Sequence, residues 1–437
     1  MFLIAPTTLK RNCAGQCESA SRASIAHSVR TLVSRLKGIC LEKSHMHEPA
    51  NRVSVRAEAV PVSNGHKPLP LLLSLILLAS ACLPWSWIGV DAGNAAEVPT
   101  SPGVVKWHPG HYYAPMPFMR TNPSIMAQVY AELKATPALR GLQVRFTWPE
   151  LEPEEGRYDF KGIENVLTEL APLNKHLVIF LELKSFNPQV LPVPTYMRTE
   201  VYEGGAFPFS TFGQSTPRGY NLKLWNSSVH DRLVALITAL GKRFNGRAHF
   251  EGIGLPETAL GQPIELLSSH DTDKYYDSLL DVQRHMRVAF PNTLTYQFVN
   301  YPREILAGFV EQMRTIGTGL GGPDIFLDDP GLNFDHPNKP KGVYSYYPEM
   351  SGLIPLTPSV MQANYDNTRH DGKGRVPAVA ELLAFGRDRL RANYLFWTRA
   401  PGHFQQVLEQ MQRIPLQGNP SGGLNAVCPK AYVSCVE

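Results

Sequence analysis

Residues 224–260, LWNSSVHDRLVALITALGKRFNGRAHFEGIGLPETAL, contain the unit that decides the fold. Apolar residues recur at helical spacing from Leu233 to Phe244, and an Asn-Gly pair then ends the predicted helix. The segment FEGIGL at 250–255 follows with the pattern of a short buried strand. A helix that leads directly into such a strand is typical of proteins with a largely parallel sheet.

The same alternation of strand and helix patterns continues on both sides of this unit. Eight strands in roughly 300 residues favour an α/β fold of the (β/α)8 (TIM) barrel type. An open doubly wound sheet would alternate similarly, but no GxGxxG follows the first strand and the sequence has no phosphate loop. The predicted strands are Val104–Ala114, Gly141–Phe146, Leu177–Lys184, Phe250–Leu255, Thr293–Val299, Gly317–Leu320, Pro358–Gln362 and Tyr394–Trp397. We assign residues 97–415 to one barrel domain and 416–437 to a C-terminal tail.

The positive charge of the chain is confined to its beginning. The 437 residues carry a net charge of +4, yet residues 1–67 hold ten of the 42 basic and four of the 38 acidic side chains. The remainder therefore carries a net charge of −2 and gives no electrostatic reason to expect a nucleic-acid partner. Residues 1–67 form a basic leader of little predicted structure. It is either a start-site artefact, with Met46 as an internal start, or a cytoplasmic arm.

An apolar segment separates this leader from the barrel. Pro68–Val90 contains no charged residue, and it stands between Lys67 and a run of small residues near Ala95. This layout predicts that residues 68–96 are a secretory signal peptide and that the protein is periplasmic or extracellular. Two alternatives remain open. The segment is long enough to span a bilayer core of about 30 Å as an uncleaved anchor, and Cys82 stands in a weak lipid-attachment motif.

Two cysteines, Cys428 and Cys435, belong to the predicted mature protein. In an oxidising compartment they would close a small disulfide loop, and the alternative is two free thiols in the tail. The sequence contains no CxxC pair and no HExxH run, so we predict neither a metal site nor a cofactor.

A stretch after the second predicted strand carries a resemblance to a known family. Residues 146–160, FTWPELEPEEGRYDF, resemble the W-x-x-hydrophobic-E-P-x-x-G-x-[YF]-D-[FW] stretch of clan A glycoside hydrolases, a superfamily of retaining (β/α)8 enzymes. Residues 224–258 are similar to these enzymes in their order of motifs, and the resemblance extends over roughly 104–415. It implies an enzyme that cleaves O-glycosidic bonds of a poly- or oligosaccharide, and the signal-like segment at 68–96 predicts that this enzyme is exported.

The resemblance places the general acid/base at Glu257, at the end of the fourth strand. Glycoside cleavage needs a carboxylic acid that protonates the leaving oxygen, and an apolar surrounding helps such a group to keep its proton. Glu257 follows Ile253-Gly254-Leu255, which would supply that surrounding. The alternative is a surface carboxylate at a helix start. Glu251 lies nearer the start of the strand and is a weaker candidate.

The second carboxylate is less clear from the sequence. Clan A enzymes have a Glu nucleophile at the end of the seventh strand, where Gln362 stands in our strand assignment. Four explanations remain open: our strand assignment is shifted, the nucleophile lies elsewhere, the enzyme inverts, or the protein has lost hydrolysis. Asp324, after a Gly-Gly-Pro turn, is our candidate for the second carboxylate, with turn capping as the alternative. A carboxyl separation of about 5 Å would imply retention, and about 6.5–9.5 Å inversion.

The remaining candidates bind substrate at the ends of the strands, where the active sites of this fold lie. Glu182 and Lys184 share a face of the third strand, and the resemblance implies that Trp397 lies beneath the sugar. The predicted binding residues are His111, Tyr113, Glu182, Lys184, Asn300, Tyr301, Gln362 and Trp397. The rival hypothesis is a non-hydrolytic envelope protein that binds glycans or assembles polysaccharide on a degenerate barrel.

Overall fold

A computed structural model describes residues 101–210 and 214–437. They form a closed barrel of eight parallel strands, in which the last strand pairs with the first. The strands are β1 (Gly110–Ala114), β2 (Leu139–Thr147), β3 (His176–Glu182), β4 (Phe250–Leu255), β5 (Leu294–Phe298), β6 (Gly319–Gly322), β7 (Leu356–Val360) and β8 (Tyr394–Thr398). The predicted (β/α)8 barrel is confirmed. The basic leader and the signal or anchor segment at 68–96 lie outside the described residues.

Helices alternate with the strands along the chain. The main ones are α1 (Pro123–Ala135), α2 (Lys161–Leu170), α3 (Ser227–Phe244), α4 (Ser269–Ala289), α5 (Arg303–Ile316), α6 (Tyr346–Met350), α7 (Val379–Ala384) and α8 (Phe404–Gln412). Shorter helical segments lie at Pro117–Arg120, Trp148–Leu151, Ala171–Leu173, Thr195–Met197, Glu200–Tyr202, Val343–Ser345, Gln362–Asp366 and Phe385–Arg389. No helix within 101–210 or 214–437 has both the length and the apolarity needed to cross a membrane.

Alternation along the strands divides the apolar side chains into two layers. Large rings fill the barrel interior, among them Tyr112, Phe180, Tyr296 and Phe396. A Cβ atom on Gly254 would lie 2.0 Å from Cζ of Tyr296, so only glycine fits opposite that ring. The outward side chains pack against the helices. The residues of α3 predicted from helical spacing are all buried there: Leu233, Leu236, Ile237, Leu240 and Phe244.

Three predicted strands differ from the observed ones in ways that matter for the site. The first divides at 107–109, because Val104–Lys106 leaves the barrel and pairs with Ser434–Val436. The sixth and seventh, β6 and β7, are displaced by two residues from the prediction. The residue that directly follows β7 is therefore Met361, and Gln362 opens a short helix.

A small antiparallel sheet stands beside the carboxyl ends of β3 and β4. It consists of Lys184–Ser185, Ala206–Ser210, Gly219–Leu222 and Gln262–Pro263. Its first strand begins two residues after β3, and its last comes from the loop after β4. Three of its four strands therefore come from the segment between β3 and α3.

The opposite end of the barrel is closed by the C-terminal tail. Ser434–Val436 pairs in parallel with Val104–Lys106, and a disulfide joins Cys428 to Cys435 with a Cα–Cα distance of 5.7 Å. Trp107 and Tyr432 pack edge to face with their ring centroids 6.0 Å apart. The tail therefore packs against the bottom of the barrel interior.

A buried hydrogen-bonded cluster of one carboxylate and two histidines lies just inside this closed end. Glu251, fully buried on β4, accepts hydrogen bonds from the backbone N–H of His108 at 2.8 Å and from Tyr394 Oη, and its Oε2 lies 2.7 Å from His108 Nδ1. The His176 ring stacks on that of His108 with centroids 3.7 Å apart. Burial by itself would raise the pKa of Glu251, but the charge and hydrogen bond of His108 outweigh it and lower the pKa to about 2. Glu251 is therefore structural, as its early position in the strand suggested.

We expect Glu251→Gln to lower the free energy of unfolding by about 1–3 kcal/mol at pH 7, because the amide group cannot accept all the hydrogen bonds that the buried carboxylate accepts from His108 and Tyr394. The folded pKa of about 2 lies below the ordinary value of 4.5, so this stabilisation is complete above pH 4.5 and is lost as the pH falls towards 2. Urea unfolding checks the size of the loss. Glu349→Gln is the matched control, since Glu349 pairs with Lys341 on the surface at 3.1 Å and should contribute under about 1 kcal/mol. Equal losses in the two variants would contradict the assignment.

Candidate active site

Glu257 lies at the carboxyl end of the barrel, two residues after β4, and both of its oxygens accept hydrogen bonds. Lys184 Nζ donates to Oε1 at 2.6 Å, and Asn300 Nδ2 donates to Oε2 at 2.8 Å. An ammonium has no acceptor and the amide NH2 only donates. Both carboxylate oxygens of Glu257 are therefore occupied as acceptors.

Lys184 is a fixed cation. Its side chain is 2% exposed, it also donates to the carbonyl of Ala259 at 2.7 Å, and the rings of Phe186 and Phe209 lie 4.9 and 4.8 Å from Nζ. Aromatic faces attract a cation and exclude water from it. The backbone of Lys184 is set by pairing with Asn221 in the small sheet. Lys184 thus pairs with Glu257 and not with Glu182, with which it was predicted to share a face of the third strand.

Asn300 is oriented by its own backbone surroundings. Its Oδ1 accepts from the N–H groups of Ala259 at 3.1 Å and Tyr301 at 2.8 Å, which leaves Nδ2 to face Glu257. Thr258 Oγ1 donates to the carbonyl of Tyr301 at 2.8 Å and ties the segment after β4 to the segment after β5. The position of Glu257 is therefore fixed by hydrogen bonds from two neighbouring loops.

Asp324 is the second carboxyl group of this site. It follows β6, is partly buried, and accepts a hydrogen bond from Asn364 Nδ2 at 3.3 Å. Burial, and then the negative charge of Glu257, raise the pKa of Asp324 to about 7. Acid–base catalysis of glycoside cleavage uses a pair of carboxyl groups of which one has a raised pKa.

Tyr301 lies between Asp324 and a loop carboxylate. Burial, then the charge of Asp329, raise the pKa of the Tyr301 hydroxyl to about 12, and Asp324 adds to this effect. Asp329 itself accepts three backbone N–H groups, from Gly331 at 2.9 Å, Leu332 at 3.0 Å and His370 at 3.2 Å. Tyr301 is therefore a neutral hydroxyl at the rim, with 37% of its surface exposed.

Arg145 and Met361 belong to the site but were missed by the sequence analysis. Arg145 projects inward from β2, lies 3.5 Å from Glu182 Oε1, and has its guanidinium 4.9 Å from the centre of the Phe180 ring. Its Nη2 lies 3.7 Å from Met361 Sδ, and Thr398 Oγ1 lies 3.4 Å from the same sulfur. A basic residue within a strand carries no local signal of function, which is why Arg145 escaped notice.

The prediction about the end of β7 is corrected. Gln362 does not occupy the position of the expected nucleophile, because it opens the helix Gln362–Asp366 and its side chain is exposed. Met361 follows the strand directly, so this chain has a thioether where the resemblance implies a carboxylate. Our candidate for the second carboxyl group, Asp324, follows β6.

His111, Tyr113 and Trp397 are not part of the site, contrary to expectation. They project outward, because the interior positions of β1 and β8 belong to Tyr112 and Phe396. Each is 0% exposed.

Their polar atoms have partners on the outer side of the barrel. Tyr113 Oη donates to Glu132 of α1 at 3.0 Å, and Trp397 Nε1 donates to His111 Nδ1 at 3.1 Å. His111 Nε2 therefore carries the proton and donates to the carbonyl of Gly422 at 3.2 Å. Burial lowers the pKa of His111 to about 4, so the ring is neutral and fastens the tail to the barrel.

Two groups of side chains in the described part of the chain are arranged so that they could hold a metal ion. They are His108, His176 and Glu251 at the closed end, and His230, Asp281 and His285 on α3 and α4. Neither group includes a residue of the Glu257–Asp324 pair.

No protein-family model and no curated protein sequence matches the chain. Solved structures match its fold. The catalytic domain of β-amylase from Paenibacillus polymyxa is 10% identical, with 74% of this chain and 96% of that chain covered and a TM-score of 0.44. The β-galactosidase of Rahnella sp. R3 is 10% identical, with 75% and 58% covered and a TM-score of 0.48. A family 39 glycoside hydrolase of Bacteroides cellulosilyticus is 12% identical, with 68% and 57% covered and a TM-score of 0.40.

These three neighbours are glycoside hydrolases. The eight-stranded parallel barrel of this chain is established by its own strand pairing. At these identities and TM-scores the neighbours carry no argument about activity or substrate, which has to come from the residues of the site.

Proposed function

We propose that the protein is a glycoside hydrolase that cleaves O-glycosidic bonds of an oligo- or polysaccharide. The bond that is cleaved would lie between the carboxyl groups of Glu257 and Asp324. The observation that carries the proposal is the difference between these two carboxyl groups. Glu257 accepts hydrogen bonds from Lys184 and Asn300, whereas burial and the charge of Glu257 raise the pKa of Asp324 to about 7. One group can give a proton at neutral pH while the other remains negative.

This division of roles differs from the one that the family resemblance implied. Asp324 is the proposed general acid, which protonates the leaving oxygen, because it is the group that keeps a proton near pH 7. Glu257 is the proposed partner carboxylate, which attacks the anomeric carbon or activates a water molecule. Asn300 and Lys184 position Glu257, while Glu182, Arg145 and Tyr301 provide polar groups at the rim for sugar hydroxyls.

The proposal is tested by incubating the protein with a panel of polysaccharides and aryl glycosides and analysing the products. With a cleaved substrate, kcat/KM should fall about tenfold per pH unit above pH 7, because the proton of Asp324 is then lost. A rate that stays level to pH 9 would contradict the role of Asp324.

A second candidate, a non-hydrolytic glycan-binding or polysaccharide-assembly protein of the cell envelope, is favoured by one observation. Met361 stands after β7 where the clan A resemblance implies a carboxylate. This candidate would be favoured over hydrolysis if the protein binds glycans but cleaves no member of the panel, and if Glu257→Gln leaves the binding unchanged.

We also propose that the protein works in the periplasm or outside the cell, and that residues 68–96 direct its export or anchor it. The disulfide between Cys428 and Cys435 supports this, since disulfides persist in oxidising compartments. Cell fractionation that found only cytoplasmic protein with free thiols at these cysteines would contradict it.

A further inference from the structure

We propose that His230, Asp281 and His285 form a binding site for a divalent transition metal, Zn²⁺ in the first place, on the outer surface of the barrel. His230 lies near the start of α3, and Asp281 and His285 lie one turn apart on α4. Residues four apart share one face of a helix, so the Asp and His of α4 both project towards α3. The three side chains come from two helices, so no sequence motif marks them.

The distances fit a tetrahedral zinc ion. His230 Nε2 lies 3.1 Å from Asp281 Oδ2, and His285 Nδ1 lies 3.3 Å from the same oxygen. Zinc bonds to nitrogen and oxygen are about 2.0–2.2 Å long, which places neighbouring ligand atoms of a tetrahedron about 3.3–3.6 Å apart. Both histidine nitrogens are thus already near their bound separations from the Asp281 oxygen, and all three ligand atoms lie within 4.8 Å of one another.

The orientation of His230 is the second observation. Its Nε2 is inaccessible to solvent and, within the described residues, does not meet hydrogen-bond geometry with any partner, although Asp281 Oδ2 is only 3.1 Å away. In a hydrogen bond the N–H of the ring points directly at the carboxylate oxygen. When the nitrogen and the oxygen bind one metal ion, both direct their lone pairs at the ion instead of at each other. His230 Nδ1 lies 3.0 Å from Asp231 Oδ1. A carboxylate on the second ring nitrogen is the usual outer partner of a metal-bound histidine, and it leaves Nε2 free to bind.

Access from solvent also suits a bound metal ion. A surface cavity of about 550 Å³ adjoins the cluster and is lined by His230, Asp277, Asp281, Lys274 and Arg284 among others, which leaves room for a water molecule as fourth ligand. Arg284 lies 3.8 Å from Oδ1 of Asp281, the oxygen that does not face the histidines. His285 Nδ1 also lies 3.0 Å from the carbonyl of Asp281, and a bound metal would replace that contact.

The site is tested by calorimetric titration of the metal-stripped full chain with ZnCl2. We expect the wild type to bind one more equivalent than His230→Ala or His285→Ala, or to bind it at least tenfold more tightly. His270→Ala is the matched control, because His270 is exposed on the same helix and belongs to no such group. Binding in the His230→Ala and His285→Ala variants equal to that of the control would overturn the proposal.

Two further measurements separate a metal site from a merely structural cluster. Co²⁺ in place of Zn²⁺ should give the absorption bands of a tetrahedral ion in the wild type and lose them in Asp281→Asn. Zn²⁺ should raise the melting temperature of the wild type and of His270→Ala, but not that of His285→Ala. His285 is half exposed, so its loss leaves the fold intact, and an equal rise in all three proteins would contradict the proposal. None of these readouts depends on glycoside hydrolysis.

Discussion

Replacing Asp324 by Asn should remove most of the hydrolytic activity while stabilising the protein above neutral pH. The amide cannot donate a proton to the leaving oxygen, so we expect kcat to fall about 10²–10⁴-fold on substrates with poor leaving groups. The loss should be much smaller on dinitrophenyl glycosides, whose leaving group needs no proton. A comparison of the two substrate types identifies the acid, because a merely structural defect would slow both equally.

The stability of the same variant follows from the raised pKa. Asp324 has a pKa of about 7 in the folded protein against an ordinary value of 3.8, so the folded state holds a proton that the unfolded chain has lost. The wild type therefore loses stability as the pH rises from about 4 to 7. Asn does not titrate and so does not lose this stability. The free energy of unfolding of Asp324→Asn should therefore exceed that of the wild type by about 2–4 kcal/mol at pH 8 and differ little from it at pH 4.

Urea unfolding at the two pH values measures this gain. Asp328→Asn is the control, since Asp328 is exposed in the same loop and should change neither quantity. If Asp324→Asn is inactive but its gain in stability over the wild type is no larger at pH 8 than at pH 4, the catalytic role of Asp324 would hold and its raised pKa would not.

Replacing Glu257 by Gln is the second large effect we expect. The variant loses the negative charge at the proposed reaction centre, and kcat should fall about 10³-fold with any substrate, activated leaving groups included. The two carboxyl groups are thus distinguished by how each variant responds to the leaving group. Glu265→Gln serves as the control, because Glu265 is exposed in the loop after β4.

Glu257→Gln should also change the pH dependence of the residual activity. The charge of Glu257 helps to raise the pKa of Asp324, so its removal should lower that pKa and move the alkaline fall in rate to lower pH. The variant also leaves the buried ammonium of Lys184 without a counter-charge, which adds a loss of stability. Adding Lys184→Met should recover part of the stability without recovering activity. An unshifted pH profile would mean that the two carboxyl groups do not interact.

The sequence predicted the order of the strands well and the faces of the strands poorly. The apolar runs and the helical spacings located all eight barrel strands, and the Leu-Pro-Glu end of the fourth placed Glu257 at the mouth. Side chains along β1 and β8 alternate between the barrel interior and the helix layer, but aromatic residues occupy both faces of each strand. Nothing local could show that Tyr112 and Phe396 fill the interior while Tyr113 and Trp397 face the helices.

The remaining differences come from contacts between distant parts of the chain. β7 contains Pro358 in its middle, and placing the strand start at this proline displaced the prediction and put Gln362 where Met361 stands. The ion pair of Lys184 with Glu257 was missed because the turn into the small sheet carries Lys184 away from Glu182.

The small sheet beside the mouth limits how this protein can acquire new substrates. Loops on this barrel are commonly exchanged without loss of the chemistry, but here Lys184 begins the inserted sheet, and Phe209 from its second strand encloses the lysine that holds Glu257. A transplanted loop would therefore discard residues that hold Glu257 of the proposed active site along with the small sheet. Diversification of relatives should therefore spare 184–222 and concentrate on the loop after β6, which makes the conservation of this insertion a useful marker of shared activity.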